Sequence, residues 1–499
     1  MSLQALWTKL DGSRSEVLRR AEQASKLTLP HVFPERGHTE TRELPTPYQS
    51  IGAMGVNNLA SKLLLTLFPP TSPFFRFVLE EADLADFAEE GDKAVIQQQL
   101  SGLETAAQIG LEKLGIRPML WEALVHLLVT GNGCLMLPER GDVNFFDLRR
   151  FCVERAPDDR VASLVIKEVV DRDQLSPELM ALLPPETVTS EEQIPIFTGA
   201  MLQADGTYKV WQEVGAGAII PNTLKEYKAD ELPFVTLRFN SIHGEHYGRG
   251  LVEQYMGDLI SAESLSESID DMAKAMARNV WIVRAGSSIT PQRFADAQNG
   301  EVLTGNPDDV GLVQANVSAA LSVVASQLQD VAFRLRQVFL MQTTRQAERV
   351  TAEEIRLVAQ ELQDTLGGTF SLMSEELQLP LIRLVVRRLR ADGKFPDLPK
   401  DLVEPKIVTG IEGLGRNQDS QRLLLFWQDI VQTVGPEAAL QHLDTPKVIQ
   451  SFAAARGIDA TLIKSEEQVQ QEQEAAQQAA LAQQAVGPGI QAAAQLAQQ

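Results

Sequence analysis

Cysteine is almost missing from this 499-residue chain: only Cys134 and Cys152 occur. Two thiols exclude a disulfide framework and a thiolate zinc site, and they fit synthesis in a reducing compartment. Long apolar runs are missing as well, since none approaches the ~18 residues that cross a bilayer. The N-terminal MSLQALWTKLDGSRSEVLRR holds no continuous apolar segment and predicts no signal peptide. Positive charge is in deficit, with 45 Lys and Arg against 67 Asp and Glu and a net charge of −22. A chain so acidic repels phosphate and is not built as a general nucleic-acid binder. The same balance suits a protein that must touch a sliding polymer without holding it.

Catalytic signatures are lacking too. There is no G-x-x-x-x-G-K-[ST] cradle for phosphates, no G-x-S-x-G elbow and no catalytic-cysteine signature. GAGAII at 215–220 lacks the third glycine of a dinucleotide loop, and TGIEGLGR at 409–416 reads as a strand-to-helix turn. His243 and His246 in HGEH have no third ligand signalled beside them, so no metal site is expected. These absences together predict a protein that is not an enzyme and uses no cofactor.

What is present is a long chain with 44% hydrophobic residues, enough for several domains and sizeable cores. The pattern predicts an α+β, mainly helical protein. Residues 1–28 read as helical, with Leu6, Leu10, Val17, Leu18 and Ala21 as core contacts, until LTLPHVFPERG interrupts with two prolines. Residues 46–70 form a helix stopped by Pro69-Pro70, and 92–131 hold two more. From Leu135 to Phe239 the periodicity turns to strands, with Asp205-Gly206 at a hairpin turn.

A long helix follows over 247–278. Its apolar face carries Val252, Tyr255, Met256, Leu259, Ile269, Met272 and Met276. Its other faces are acidic, with Glu253, Asp258, Glu263, Glu267, Asp270 and Asp271. Residues 279–316 read as short and irregular, with the strand-like VWIVRAG. Val317, Leu321, Val324, Leu328, Val331, Leu335 and Val338 then make an a/d seam. Two helices around a short excursion predict an antiparallel hairpin with a small tip. The plainer alternative is a hairpin buried in one domain core.

RQAERVTAEEIRLVAQELQDTLGG, at 345–368, starts a further helix. Thr351 and Glu354 fit a T-x-x-E capping box, and Val350 and Ile355 fit a hydrophobic staple. Gly367 and Gly368 then interrupt the helical pattern, as a kink within one helix or as a loop between two. Past it, LPLIRLVVRRLR continues helical up to Gly393. Its Arg383, Arg387, Arg388 and Arg390 fit a helix C-terminus or solvated ion pairs better than a phosphate site. Residues 416–434 and 445–456 suggest small helices, and the Gln/Ala-rich 465–499 is too poor in large apolar residues for a core.

Five of these stretches carry a resemblance: TPYQSIGAMGVNNLASKLLLTLFP, YGRGLVEQYMGDL, ERVTAEEIRLVAQELQDTLGG, LQLPLIRLVVRRL and TGIEGLGR. In this order they resemble the portal, or head-to-tail connector, proteins of short-tailed bacteriophages, nearest the autographivirus-like podophages. The resemblance runs from the first helix to about residue 460.

The resemblance implies a portal fold with wing, stem, clip and crown regions, assembled as a dodecameric ring at the unique vertex of the virion. Residues 1–250 would be wing, with its β-rich module at about 135–240. Residues 251–278 and 317–341 would be the stem helices and 279–316 the clip. Residues 342–351 would be the tunnel loop, in which Thr343, Thr344, Arg345, Gln346 and Arg349 meet DNA. Residues 352–410 would be the kinked wing helix and its connection, 411–464 the crown, and 465–499 a flexible tail. Thr351 and Glu354 would anchor the loop, and Gly367 and Gly368 would let the wing helix bend. Glu263, Glu267, Asp270 and Asp271 are the candidates for acidic lumen residues. Gln292, Arg293, Asp308 and Asp309 are those for exposed clip contacts.

Implied partners are further copies of the chain, double-stranded DNA in transit, the terminase large subunit transiently, a tail adaptor, the major capsid protein, and scaffolding and internal core proteins. No membrane is implied, no metal or cofactor, and synthesis would be in the host cytoplasm. Two other readings stand beside it: another virion scaffold such as a head–tail adaptor, and an enzyme with an unrecognised site.

Overall fold

The computed structural model describes residues 2–39, 41–70, 74–78, 90–184, 192–215, 217–277, 280–313, 318–341, 352–393, 406–408, 425–433 and 435. The chain divides into two units, one of residues 1–69 and 114–388, the other of residues 70–113 and 389–499.

In the larger unit the expected first helix is two, α1 (Leu3–Ser13) and α2 (Ser15–Lys26). The break falls at Arg14, whose backbone leaves helical geometry at φ −109° and ψ 16°. Burial of its guanidinium is the physical reason. It donates to the carbonyls of Leu148 and Phe151, pairs with Asp11 at 2.8 Å and lies over the Trp7 ring. A buried cation persists only when its donors are filled, and here they knit the helix pair to the sheet.

α3 (Ile51–Leu67) ends just before Pro69-Pro70, which cannot supply the N–H groups to continue it. α5 (Arg117–Thr130) ends on Gly131 in left-handed geometry, φ 77°. A Cβ there would strike the backbone of Arg249 and Gly250 at 2.4–2.8 Å, so both conformation and space require glycine.

The β-rich region forms two sheets. β2 (Asn132–Met136) is flanked by β3 (Asn144–Phe146) and β10 (Phe234–Arg238). The larger sheet runs β4 (Phe151–Arg155), β5 (Val161–Asp171), β6 (Gln193–Leu202), β7 (Tyr208–Val214) and β8 (Ala218–Ile219), with β9 (Lys225–Tyr227) also on β7. All pairs are antiparallel. Strand alternation sends Phe151, Val153, Leu164, Ile166 and Ala200 into one core with Leu18 and Phe33, and Cys152, Val165 and Phe197 onto α1. The hairpin turn sits at Asp205-Gly206 as expected; Gly206 takes φ 85° and the Asp205 carboxylate accepts from the Thr207 backbone and hydroxyl. Those hydrogen bonds hold Asp205 below the usual carboxylate range. Gly215 and Gly217 of GAGAII form the β7–β8 connection, both at positive φ.

Arg238 on β10 is clamped by Glu376, which accepts from its backbone N–H and its guanidinium. Glu376 lies in a π-helical turn, Ser374–Gln378, between α11 (Gly368–Met373) and α12 (Leu379–Ala391). The extra residue of such a turn re-aims side chains, and here it delivers Glu376 to the sheet. Arg387 pairs with Glu139 at 2.6 Å, and Arg388 donates to the Gly141 carbonyl. These arginines serve ion pairs and loop carbonyls, in line with the sequence reading.

In the smaller unit, α4 (Glu90–Lys113) packs on β1 (Arg76–Val78), which pairs with β13 (Lys406–Val408). Leu100, Leu103, Ala107 and Leu111 are buried at helical spacing. Glu104, buried among them, accepts the Phe77 N–H at 2.9 Å. Residues 425–433 are helical. The expected helix at 445–456 and the tail at 465–499 lie outside the described residues.

Candidate functional site

The long helical hairpin carries most of the candidate residues. Its first arm, expected as one helix from 247, begins at Leu251 as α6 (Leu251–Gln254) and breaks at Tyr255 before α7 (Met256–Ala277). The second arm is α9 (Ser318–Val338), packed antiparallel on α7. Between them the expected irregular excursion is a two-stranded antiparallel ribbon, β11 (Val280–Val283) with β12 (Val310–Val313), plus the short α8 (Pro291–Asp296).

Burial along the a/d seam is graded. Val331 and Leu335 are buried with Phe339, Leu259 and Ala262 at the root, whereas Leu321, Val324 and Leu328 further out are half-buried. At the tip Val280, Trp281 and Ile282 are about half exposed, and Trp281 rests on Phe294 at 5.1 Å. A lone two-stranded ribbon is marginally stable, so this tip has apolar surface in search of cover.

At the root, α9 ends in a Schellman motif: Met341 N–H reaches the Arg336 carbonyl at 2.8 Å and Leu340 N–H the Gln337 carbonyl at 3.1 Å. The left-handed position is usually glycine; here it is Leu340, at φ 51°. α3 stabilises it from outside. Asn58 Nδ2 donates to the Phe339 and Leu340 carbonyls at 2.9 and 3.2 Å, and Lys62 Nζ donates to the Leu340 carbonyl at 2.8 Å. Lys62 also pairs with Glu361 at 3.5 Å, on α10 (Ala352–Leu366). One helix thus holds both flanks of segment 342–351. Sequence reading missed Asn58 and Lys62, because their partners lie hundreds of residues away and a lone Asn or Lys on a helix carries no local signal.

Thr343, Thr344, Arg345, Gln346, Arg349 and Thr351 lie outside the described residues, as does the Val350 staple position. Glu354 falls in the first turn of α10. The glycine pair is resolved into one required glycine and one permissive one. Gly367 breaks the chain between α10 and α11 at φ 53° and ψ −127°, a region closed to other residues. Gly368 begins α11 with open space where a Cβ would be. Leu366, Gly368 and Thr369 line a crevice of about 870 Å³ together with Gln254 and Tyr255, so the two helix breaks face the same space.

The acidic candidates divide. Glu263 accepts from the backbone N–H groups of Tyr48 and Gln49 at 2.9 and 3.2 Å, tying α7 to the approach to α3. Asp270 and Asp271 share Lys274, whose ammonium is stabilised first by the Asp270 hydrogen bond. Glu267 is exposed with no ion-pair partner among the described residues. Asp258 pairs with Arg334 on α9 at 2.7 Å and crosslinks the two arms.

At the tip, Gln292, Arg293 and Asp308 are exposed as expected. Asp309 is not: its carboxylate faces Arg284 at 3.2 Å and its carbonyl accepts the Arg284 N–H, closing the ribbon at the end away from the helices. His243 and His246 act separately. His246 Nδ1 accepts the Arg155 N–H at 3.1 Å, while Glu245 pairs with Arg249, which holds its carboxyl below the usual range.

Residues 1–463 match the family model described as bacteriophage head to tail connecting protein. The portal protein of Escherichia phage T7 is 33% identical over 485 residues, covering 94% of this chain and 89% of that protein. The portal protein of Enterobacteria phage T3 is 34% identical over 434 residues, 84% of this chain and 80% of that one. That of Enterobacteria phage SP6 is 32% identical over 495 residues, 96% and 93% of the two chains.

Proposed function

This chain belongs to the family of bacteriophage head-to-tail connecting proteins, and from that premise we propose how it works as a portal. It is a structural virion protein rather than an enzyme. Identical copies form a dodecameric ring at one capsid vertex, with duplex DNA passing along the axis. The hairpin of α7 and α9 is the stem, and the β11–β12 ribbon with α8 is the clip, which docks the terminase during packaging and the tail adaptor afterwards. Residues 1–250 and 352–410 form the wing against the capsid protein, and 411–464 the crown facing scaffolding and core proteins, with 465–499 as a flexible tail.

The observation that carries this reading is the graded hairpin, rooted in a core yet half-bare along its outer length. A subunit that works alone would bury that seam; a ring of copies covers it. The electrostatics agree. The acidic first arm, repeated around an axis, would repel the phosphate backbone and keep DNA mobile. Arg345 and Arg349 on 342–351 would supply a narrow band of screened phosphate contacts. Asn58 and Lys62 would brace the entry to that loop, and the Gly367 break beside the crevice would let the wing helix bend to the ring. Electron microscopy of the purified full chain tests the proposal. Rings with a central hole wide enough for a double helix are expected; monomers, or assemblies with a filled centre, overturn it.

A further inference from the structure

The outward side of α9 carries a large apolar side chain left mostly uncovered among the described residues. Phe333 is 56% exposed, about 200° around the helix from buried Val331. Next to it, about 60° around α9 at Asp330 and about 100° at Arg334, a groove of about 580 Å³ runs between α7 and α9. Ile260, Leu265 and Val331 give it apolar walls, Ser261 and Ser264 leave it open, and Asp330 and Arg334 border it. Ile260 is itself 45% exposed.

We propose that Phe333 of one copy seats in the Ile260–Leu265–Val331 groove of the next copy, and that this knob and groove form the stem contact of the assembly. The inference rests on the ring reading above and assigns its interface. Three observations select a second copy as the occupant. The first is level. Phe333 belongs to the same helical turn as Asp330 and Arg334 on the groove, so knob and groove sit at one height on neighbouring faces of α9, and Phe333 points away from its own groove's far wall at Val331. Rotation about an axis parallel to the hairpin brings them together without a shift along that axis, the condition for a contact that closes rather than spirals. The second is charge. α7 carries five carboxylates against one lysine, net −4, and α9 carries Arg334 and Arg336 against Asp330, net +1. Arg336 is exposed without an ion-pair partner among the described residues, as is Glu267 on α7. Arms of opposite sign attract when the α9 face of one copy meets the α7 face of the next. The third is the exclusion of nucleic acid: Arg334 is already paired with Asp258, so the groove offers phosphate an acidic border.

The test uses the full chain, measured by native mass spectrometry and mass photometry. Phe333→Asp is expected to raise the concentration at which rings form at least tenfold while the melting of the isolated subunit is unchanged, since the site is exposed. Phe333→Ser serves as the second variant should Asp unfold the subunit. Phe333→Cys with Ser264→Cys is expected to give an oxidative ladder of crosslinked copies that neither single variant gives; the natural Cys134 and Cys152 are buried and contribute no background. Rings of Phe333→Asp (or, should it unfold, of Phe333→Ser) at the wild-type concentration overturn the contact, and so does absence of the ladder in assembled double-cysteine rings. A wild-type chain that stays monomeric at every concentration overturns the ring reading itself, an outcome distinct from wild-type rings that ignore Phe333.

Discussion

The root and the tip of the hairpin share one sequence pattern and differ in what covers it. At the root Leu335 and Phe339 are completely buried, and α3 fills the free carbonyls of the helix end. Toward the tip Leu321, Val324 and Leu328 occupy equivalent seam positions yet are only half-buried, and Trp281 is 51% exposed. Amphipathic spacing states which face is apolar but not who buries it. The root folds for its own subunit; the outer length is built for company.

The largest expected effects test that division directly. Leu335→Ala should lower subunit stability by about 2–5 kcal/mol, through lost transfer energy and the cavity left behind. Leu321→Ala should cost the isolated subunit under about 1 kcal/mol and instead weaken assembly. Urea unfolding of both variants at concentrations below assembly reads the contrast, and equal losses would break it.

A second test uses His126, buried on α5 against the Phe145 ring, where burial pushes its pKa down to about 4. The folded state holds the imidazole neutral, whereas the unfolded chain protonates it near 6.5. Its contribution is therefore fully present above pH 6.5, is lost as pH falls toward 4, and amounts to about 3 kcal/mol at the end. His126→Leu should reduce the acid-induced loss of stability by about that amount, measured as unfolding free energy at pH 7 against pH 4. An unchanged pH profile would remove this residue from the self-sufficient part of the fold.

Gly367→Ala should cost about 1–3 kcal/mol, because a side chain is strained at that φ and ψ. Gly368→Ala, with ordinary geometry and open space, should be neutral or gain about 0.4–1 kcal/mol. Thermal melts of the two single variants separate them, and equal behaviour would refute the one-glycine break. The double leucine substitution at these sites should impair ring assembly; normal rings would refute a hinge role. Smallest in stability, within about 0.5 kcal/mol, is Arg345→Ala with Arg349→Ala. Rings should form normally while packaging or DNA retention changes. Wild-type packaging and retention would take the loop out of the mechanism.

Much of this was legible from residues that speak locally. The seam residues Val331 and Leu335, the turn at Asp205-Gly206 and the stop before Pro69-Pro70 follow from periodicity and backbone chemistry. The resemblance to portal proteins rested on runs of sequence that the family match covers. What sequence could not supply depends on pairing across distance. Asp309 looked like a free surface acid and is held by Arg284, and the two backbone amides before α3 that Glu263 binds have no local signal. The break at Arg14 arises because a sheet formed far downstream offers its carbonyls to that side chain. The π-turn around Glu376 likewise answers to Arg238 on a distant strand. Asp309 meets Arg284 only because the β11–β12 register sets them opposite one another, and the other partners lie a hundred or more positions from the residue they govern.

The left-handed leucine at the end of α9 has a practical consequence for exchange between relatives. Where glycine ends a helix, the exit direction travels with the local sequence. With Leu340 in that place the direction is set by Asn58 and Lys62, residues nearly three hundred positions earlier. A chimera that transplants only the segment after α9 would thus carry the cargo without its mount, and grafts that bring the matching stretch of α3 should be the ones that keep their shape.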